Sequence, residues 1–430
     1  MKKKALMTAS VASMIDLFNM DNIHLLQSLG YQVEVAANFA FGSITSQERV
    51  DAFRGELEAA GIRTYHVPIP RSISDIKDII SSYRAMKRLC EEGGYTLMHT
   101  QSPIGGVVAR MAAAKQRKAG MKVIYTAHGF HFFRGAPKAN WLLFYPIEKF
   151  FSRVTDVLIT INQEDFARAG KFHAGKTVCV PGIGIDLDKF AGAGRETPGD
   201  SEAMQKDPDG SYKKLETMQK DPGGSHKRSQ ALPDGAGFSS QELQALRDEF
   251  GFLAEDYVLL SLGQLSHRKN QETVIRAVAR LADKQIKYLI VGAGELEAHD
   301  RKLIRELQIE DRVILAGYRG DVPALMHMAD CFVFPSKQEG LPVALMEAMA
   351  SGIPVICSKI RGNMDLIADR EQGILVEPED GEGFAKAIVE MKNDPAFARR
   401  CAMQAKTKVK DFGRETVQGM MREIYESVER

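Results

Sequence analysis

The chain has 430 residues, of which 44% are hydrophobic and 26% charged, and its 57 basic side chains nearly balance 56 acidic ones. The length favours two domains, and the composition is typical of a globular protein. It excludes a disordered chain, a collagen-like repeat and a disulfide-stapled scaffold. Nucleic acid is a poor partner for a chain so close to neutral that has no recognition motif. No apolar run reaches the ~18 residues of a membrane-spanning helix.

The charge is divided unevenly along the chain. Residues 1–190 have a net charge of +7 and the remainder −6, so the two halves face different partners or surfaces. The five cysteines lie far apart without a Cys-x-x-Cys pair, which is typical of a reducing cytoplasm. Polar residues from Asp16 onward interrupt the apolar stretch after the basic start. We therefore expect no signal peptide and a mature chain that begins at Met1.

The first 190 residues alternate short apolar runs with stretches of helical periodicity, such as residues 14–29 and 105–115. The predicted strands are residues 4–8, 33–36, 64–67, 97–100, 122–126, 157–161 and 177–180. This alternation predicts an α/β fold with a doubly wound parallel sheet.

Residues 191–238 are rich in Gly, Asp, Lys, Ser and Pro and contain few large aliphatic side chains. A segment that begins at Glu202 is repeated with changes 14 residues later, from Glu216. Such a composition buries too little apolar area to offset the entropy of ordering, so we expect a flexible insertion. It is either a partner-binding arm or a tolerated duplication at a domain boundary, of which we favour the second.

The alternation resumes in the second half. The predicted strands are residues 258–262, 288–291, 313–316, 331–334 and 355–357. The sequence thus predicts two Rossmann-like domains with a cleft between them. Their expected limits are residues 1–190, an insertion and linker at 191–250, a second domain at 251–410 and a C-terminal helix at 411–430 that packs back toward the first domain.

The most informative stretch follows the predicted strand at residues 331–334. A loop at residues 336–340 precedes a helix that starts near Pro342 and ends at Gly352. Open α/β sheets bind ligands at such strand ends. Free backbone N–H groups near Gly340 and Leu341 suit a phosphate or a hydroxylated ligand.

Two acidic residues flank this helix start: Glu339 in the loop and Glu347 in the second helical turn. Carboxylates repel phosphates but accept hydrogen bonds from hydroxyls, each worth about 1.5–3 kcal/mol. The pair therefore suits a nucleotide sugar, with one acid for the transferred sugar and the other for the ribose. Alternatively, the two acids lie on a solvated helix face. The preceding strand, the helix-capping residues and the spacing of the acids all favour a binding site.

The stretch from Glu339 to Glu347 resembles the Glu-x7-Glu signature of retaining glycosyltransferases of family 4, which have the GT-B architecture. Residues 99–106, 125–132 and 159–165 resemble the capsular and exopolysaccharide branch of that family, and residues 181–186 resemble its turn before the hinge. The resemblance covers nearly the whole chain except residues 191–238. It implies transfer of a sugar from a nucleotide donor, bound by the second domain, to an acceptor bound by the first.

The same resemblance assigns further donor-side residues. Residues 261–270 resemble a family loop whose Arg and Lys neutralise the donor diphosphate, and Lys269 matches the Lys. Gln264 stands at the Arg position and supplies no charge, which makes Arg268 a candidate substitute. A fixed cation beside the leaving phosphate contributes about 3–4 kcal/mol. Tyr318 and Arg319 resemble the base-contacting loop, for which an ordinary strand-end turn is an equal alternative.

On the acceptor side, His128 follows a predicted strand and matches the family histidine near the anomeric centre. A structural histidine is the alternative. The family's mechanism is a front-face substitution without an agreed protein nucleophile, so we assign no covalent residue. The catalytic candidates are His128, Glu339 and Lys269. The resemblance places Ser10, Ser102 and Asn162 on the acceptor side, although the turn at residues 8–13 lacks the Gly-Gly of many relatives.

We predict neither a metal nor a cofactor. The Asp-x-Asp pairs at residues 186–188 and 207–209 lack the strand-end context of a manganese site. Glu297 takes the place of the third glycine in a dinucleotide fingerprint, which makes a dehydrogenase improbable.

Residues 130–153, from Phe130 to Arg153, combine aromatic and basic side chains and include the chain's one tryptophan, Trp141. They fit either an interfacial helix on an anionic membrane or a core helix with aromatic packing. The basic first half favours the membrane. We therefore expect a cytoplasmic protein that is peripheral at the inner face of the plasma membrane.

The sequence as a whole predicts a retaining, metal-independent hexosyltransferase. It would transfer a hexose or N-acetylhexosamine from a UDP-sugar to an undecaprenyl-diphosphate-linked glycan in capsule or exopolysaccharide synthesis. A sugar-nucleotide epimerase of the same fold and a non-catalytic nucleotide-sugar-binding subunit are the alternatives.

Overall fold

The structure, a computed structural model, describes residues 3–40, 46–70, 72–190 and 237–429. Most of the expected insertion, including its duplicated segment, lies outside the described residues, so its flexibility stays a prediction. The α/β class and the two Rossmann-like domains are confirmed, because the described strands form two parallel sheets.

The first domain has a seven-stranded sheet in the order β3-β2-β1-β4-β5-β6-β7. Its strands are β1 (Lys4–Val11), β2 (Gln32–Asn38), β3 (Thr64–His66), β4 (Leu97–Gln101), β5 (Lys122–Ala127), β6 (Val157–Thr160) and β7 (Lys176–Cys179). Its helices are α1 (Ala12–Phe18), α2 (Met20–Ser28), α3 (Gln47–Ala59), α4 (Ile76–Glu92), α5 (Pro103–Lys118), α6 (Lys138–Phe151) and α7 (Gln163–Ala169). Gln101 pairs in register with Thr126, which brings the carboxyl ends of β4 and β5 side by side.

The second domain has a six-stranded sheet in the order β10-β9-β8-β11-β12-β13. Its strands are β8 (Tyr257–Leu262), β9 (Ile286–Val291), β10 (Val313–Gly317), β11 (Cys331–Phe334), β12 (Val355–Ser358) and β13 (Ile374–Val376). Its helices are α8 (Ser240–Glu249), α9 (Gln271–Arg280), α10 (Glu297–Glu306), α11 (Val322–Met328), α12 (Val343–Ser351), α13 (Asn363–Leu366), α14 (Gly381–Asn393) and α15 (Pro395–Lys408). The short strand β13 was missed by the sequence analysis.

The last helix, α16 (Arg414–Glu429), lies against the first domain. Its apolar face enters the same hydrophobic cluster as Ile15 and Leu26, with the side chains of Val417, Met421, Ile424, Tyr425 and Val428. Each large apolar side chain buried in this way contributes about 1.5–3 kcal/mol. The chain therefore crosses between the domains a second time at its C-terminal end.

Three local expectations were wrong. The helix expected at residues 14–29 is interrupted at Asn19, whose side-chain amide donates to the Met14 carbonyl at 2.9 Å and so competes with the helical backbone. The expected turn at residues 8–13 is absent, because α1 begins directly after Val11. Residues 240–249, assigned to the linker, form α8, whose Leu243 and Leu246 pack on the core of the second domain.

Candidate active site

Glu339 lies in the loop between β11 and α12 with two cations on the same carboxylate oxygen. Its Oε1 is 2.9 Å from Arg268 Nη1 and 2.9 Å from Lys269 Nζ. The Lys269 side chain is 14% exposed and that of Arg268 46%. Because burial disfavours an ammonium group, the pKa of Lys269 is lowered, although the Glu339 carboxylate opposes the shift. The structure thus joins three of the predicted charged residues, Arg268, Lys269 and Glu339, in one cluster.

A glycine and an aromatic ring position the Lys269 side chain. Its Nζ lies 4.7 Å from the centroid of the Phe334 ring, at the end of β11. Gly263 has φ +144°, and a Cβ at this position would lie 3.1 Å from Lys269 Cε. A larger residue after β8 would adopt a strained backbone conformation and crowd the Lys269 side chain.

Glu347 is located as predicted, in the second turn of α12, which ends at Gly352 in the left-handed conformation. Burial raises the pKa of the Glu347 carboxyl, and the charge of Lys189 opposes this shift. No described residue donates a hydrogen bond to this carboxylate. A partly buried acid without a donor suits a ligand that brings its own hydroxyl groups.

Among the described residues, no hydrogen bond or ion pair joins three further predicted donor residues, Gln264, Tyr318 and Arg319, to this cluster. Gln264 is exposed at the end of β8, and its backbone carbonyl accepts from Gln271 Nε2 at 3.2 Å. Tyr318 is 87% exposed after β10. The Arg319 guanidinium binds the carboxylates of Asp321 and Glu249. Arg268, and not Gln264, therefore supplies the second positive charge at Glu339.

His128 lies directly after β5 and meets the second domain. A Cβ on Gly340 would overlap the His128 carbonyl oxygen, so only glycine fits at this point of the cleft. Because Glu339 precedes Gly340, the predicted catalytic residues His128, Glu339 and Lys269 are linked by consecutive contacts. Burial lowers the pKa of His128 to about 4, which keeps the ring neutral near pH 7.

The predicted acceptor-side residues occupy the strand ends of the first domain. Ser10 Oγ lies 2.8 Å from Ser102 Oγ and accepts from the Gly105 N–H at 3.1 Å, at the start of α5. The Asn162 side chain caps α7 by accepting from the Asp165 N–H at 2.9 Å. Asn162 is fully buried, so its observed contacts are those of a helix cap.

An ion pair between the domains was missed by the sequence analysis. Arg361, after β12, donates to Asp165 Oδ1 at 2.6 Å and to the Phe130 carbonyl at 2.7 Å. Its Nε also donates to the Glu339 carbonyl at 3.3 Å. Both charged side chains are almost fully buried. The positions of Arg361 and Asp165 near strand ends could have marked each residue as a candidate for the cleft. The sequence could not show that the two residues pair, because they are far apart in the chain.

The described residues contain no group of three His, Cys, Asp or Glu side chains placed to hold a metal ion. Within the same ranges, no helix is both long and apolar enough to cross a membrane. All five cysteines are free thiols.

Comparison with known proteins identifies the class. Residues 244–408 match the family model of glycosyl transferases group 1, and residues 19–181 match a glycosyl transferase 4-like domain. The solved structure of Anabaena HepE in complex with UDP and glucose superposes with a TM-score of 0.70 at 19% identity, over 99% of this chain and 100% of HepE. The fold is therefore that of the GT-B glycosyltransferases.

Two relatives narrow the assignment. The chain is 30% identical to EpsD of Bacillus subtilis, whose name assigns it to the glycosyltransferases, over 99% of this chain and 97% of EpsD. It is 27% identical to the UDP-Gal:alpha-D-GlcNAc-diphosphoundecaprenol alpha-1,3-galactosyltransferase of Escherichia coli, over 77% of this chain and 76% of that enzyme. The chain belongs to the group 1 glycosyltransferase family.

Proposed function

We propose that the chain is a retaining glycosyltransferase of family 4 that transfers a hexose or N-acetylhexosamine from a UDP-sugar to an undecaprenyl-diphosphate-linked glycan in capsule or exopolysaccharide synthesis. The observation that carries the proposal is the contact of the Glu339–Gly340 loop with His128. It joins a cation-carboxylate cluster on the second domain to the strand ends of the first. The name of the Escherichia coli relative supports this donor and acceptor class.

The charges at the cluster suit the departure of a nucleoside diphosphate. Negative charge builds on the leaving phosphate as its bond to the anomeric carbon breaks, and the Lys269 ammonium and Arg268 guanidinium stabilise it. Glu339, held by both cations, presents its other carboxylate oxygen to sugar hydroxyls. Glu347 has no donor among the described residues and is available to the ribose. We propose that these side chains perform the transfer without a metal ion.

The acceptor lipid would be reached through helix α6. Leu142 is 80% exposed and Phe150 is 60% exposed, whereas Trp141 and Tyr145 pack inward on Phe132. Basic residues flank the exposed apolar side chains. Helix α6 thus has one packed face and one exposed face that carries apolar side chains near basic ones. We propose that α6 rests on the anionic inner face of the plasma membrane.

The test is an assay of the purified protein with a panel of UDP- and GDP-sugars and an undecaprenyl-diphosphate-linked glycan. We expect donor consumption that requires the acceptor, resists EDTA and gives a product with the anomeric configuration of the donor. Lys269→Ala and Glu339→Ala should abolish most of it. Lys337→Ala is the matched control, because this exposed lysine of the same loop pairs with Glu379 on the surface.

Two results would overturn the proposal. Epimerised donor formed without acceptor would indicate an epimerase. Tight UDP binding without turnover by any donor would indicate a binding subunit, the alternative that the uncharged Gln264 favours.

A further inference from the structure

Two buried carboxamides stand behind the His128 ring. His128 Nε2 is hydrogen-bonded to Gln101 Oε1, at the end of β4. Gln101 Nε2 in turn donates to Asn19 Oδ1, at the break between α1 and α2. Both carboxamides are almost completely buried. Asn19, Gln101 and His128, from three parts of the chain that are distant in sequence, therefore form one row of hydrogen bonds that ends at His128 Nε2.

The direction of each hydrogen bond in this row is fixed from its far end. Asn19 Nδ2 lies 2.9 Å from the Met14 carbonyl oxygen, which can only accept, so this atom is the amide donor. Asn19 Oδ1 is then the acceptor, and Asn22 Nδ2 donates to the same oxygen at 3.1 Å. Gln101 must present its NH₂ to Asn19 and its oxygen to His128. His128 Nε2 must therefore be the donor.

The protonation of the ring follows from this order. Because burial lowers the pKa of His128 to about 4, the neutral ring holds one proton near pH 7. That proton is on Nε2, and the lone pair is on Nδ1. Nδ1 has no hydrogen-bond partner among the described residues.

We infer that Asn19 and Gln101 are positioning residues that hold His128 in the Nε2–H tautomer and leave Nδ1 as an acceptor for a hydroxyl of the bound sugar. The contact with the sugar rests on the proposed function, whereas the tautomer is a property of the free protein. The two parts are therefore tested separately.

The first test is magic-angle-spinning NMR of protein that carries ¹³C,¹⁵N-labelled histidine, at pH 7 and without ligand. Subtraction of the His128→Asn spectrum identifies the His128 signals. We expect a protonated Nε2 and an unprotonated Nδ1. A protonated Nδ1 or an imidazolium ring in the wild-type protein would overturn the inference.

Variants of Asn19 distinguish the effect of the hydrogen bonds between Asn19, Gln101 and His128 from the effect of side-chain packing. Asn19→Leu keeps the volume but removes the acceptor that orients Gln101, so both His128 tautomers should appear. Asn19→Asp, when its buried carboxyl is protonated, donates to the Met14 carbonyl through its O–H and accepts from Gln101 through its other oxygen, so it should restore the single tautomer. Asn22→Leu is the matched control, because Asn22 bonds to Asn19 without orienting Gln101. Gln101→Met removes the Oε1 atom that accepts from His128 Nε2. It gives the same test if the Asn19 variants fail to fold.

The second test is kinetic. Loss of one neutral hydrogen bond to a sugar hydroxyl should lower kcat/KM of Asn19→Leu about 3- to 10-fold, with recovery in Asn19→Asp. Mixed tautomers with unchanged kcat/KM would overturn the positioning role. If the wild-type protein transfers no sugar, the proposed function fails, while the NMR result still decides the tautomer.

Discussion

Lys269 and Arg268 both reach Oε1 of Glu339, but they differ in burial. A buried, fixed cation stabilises developing charge more than an exposed one, which water and salt screen. We expect Lys269→Met to lower kcat/KM about 100- to 1000-fold, as for loss of one preorganised transition-state contact. Arg268→Met should cost about tenfold or less. Initial rates with a fixed acceptor measure both, and equal losses would contradict the assigned roles.

Glu347 offers a test in which stability and binding move in opposite directions. Its folded pKa is raised by burial, so ionisation at neutral pH destabilises the fold. Below the pKa of Glu347 in the unfolded state, both states are protonated and there is no penalty. The penalty grows as the pH rises from the unfolded pKa to the folded pKa, and it is complete above the folded pKa. Glu347→Gln should therefore have a higher Tm than wild type at pH 7, and the difference should vanish in acid.

The same variant should bind donor less well. Loss of a charge-assisted hydrogen bond to a hydroxyl, worth about 1.5–3 kcal/mol, should raise the donor KM about 10- to 100-fold. Glu148→Gln is the control for stability, because the buried Glu148 pairs with Arg110 at 2.8 Å and its neutralisation should lower the Tm. A lower Tm for Glu347→Gln at pH 7 would show that its carboxylate is stabilised within the fold.

The site residues that could be predicted from the sequence share one local segment. Glu339 and Glu347 lie eight positions apart around a helix start, so their relation is visible in the chain itself. The partners of His128 and Asp165 are not visible in this way, because Gln101 and Arg361 are brought to them by the order of strands in two sheets. Such contacts depend on tertiary geometry that no local pattern records.

At the scale of elements, the predicted limits of strands and helices were correct where several sequence signals agreed. Strand β11 has the predicted bounds, and α12 ends at Gly352 as predicted. Errors occurred where one side chain decides the outcome. The amide of Asn19 breaks a helix whose apolar periodicity continues. The three-residue strand β13 was missed, although β3, which is equally short, was predicted.

Helix α6 makes a membrane prediction that belongs to the element. The double variant Leu142→Glu, Phe150→Glu removes exposed apolar area from α6 and adds negative charge. Its binding to phosphatidylglycerol vesicles should therefore be at least tenfold weaker than that of wild type, a loss of about 1.4 kcal/mol. Co-sedimentation measures it. Leu253→Glu, at an exposed leucine of the second domain, should bind as wild type. Equal binding by all three proteins would exclude α6 as the membrane contact.

At the scale of the whole molecule, three features join the domains. Helix α16 contributes five side chains to the core of the first domain, and one hydrophobic cluster contains Ile161 together with Leu341 of the second. The third is the buried pair of Arg361 and Asp165, and the Arg361 guanidinium also reaches the carbonyls of Phe130 and Glu339. The loop after His128 and the loop of Glu339 are thus held by one side chain.

The Arg361–Asp165 pair should therefore control both stability and turnover. Arg361→Met leaves a buried carboxylate unpaired and should destabilise the fold by about 3–5 kcal/mol. In the double variant with Asp165→Asn no uncompensated charge remains, so denaturant unfolding should recover part of that loss. Turnover should not recover, because neither variant can bridge Phe130 and Glu339. Lys337→Met, which breaks an exposed pair, should leave the free energy of unfolding close to that of wild type. Wild-type kcat/KM in the folded double variant would show that the pair stabilises the interface without aligning the two loops.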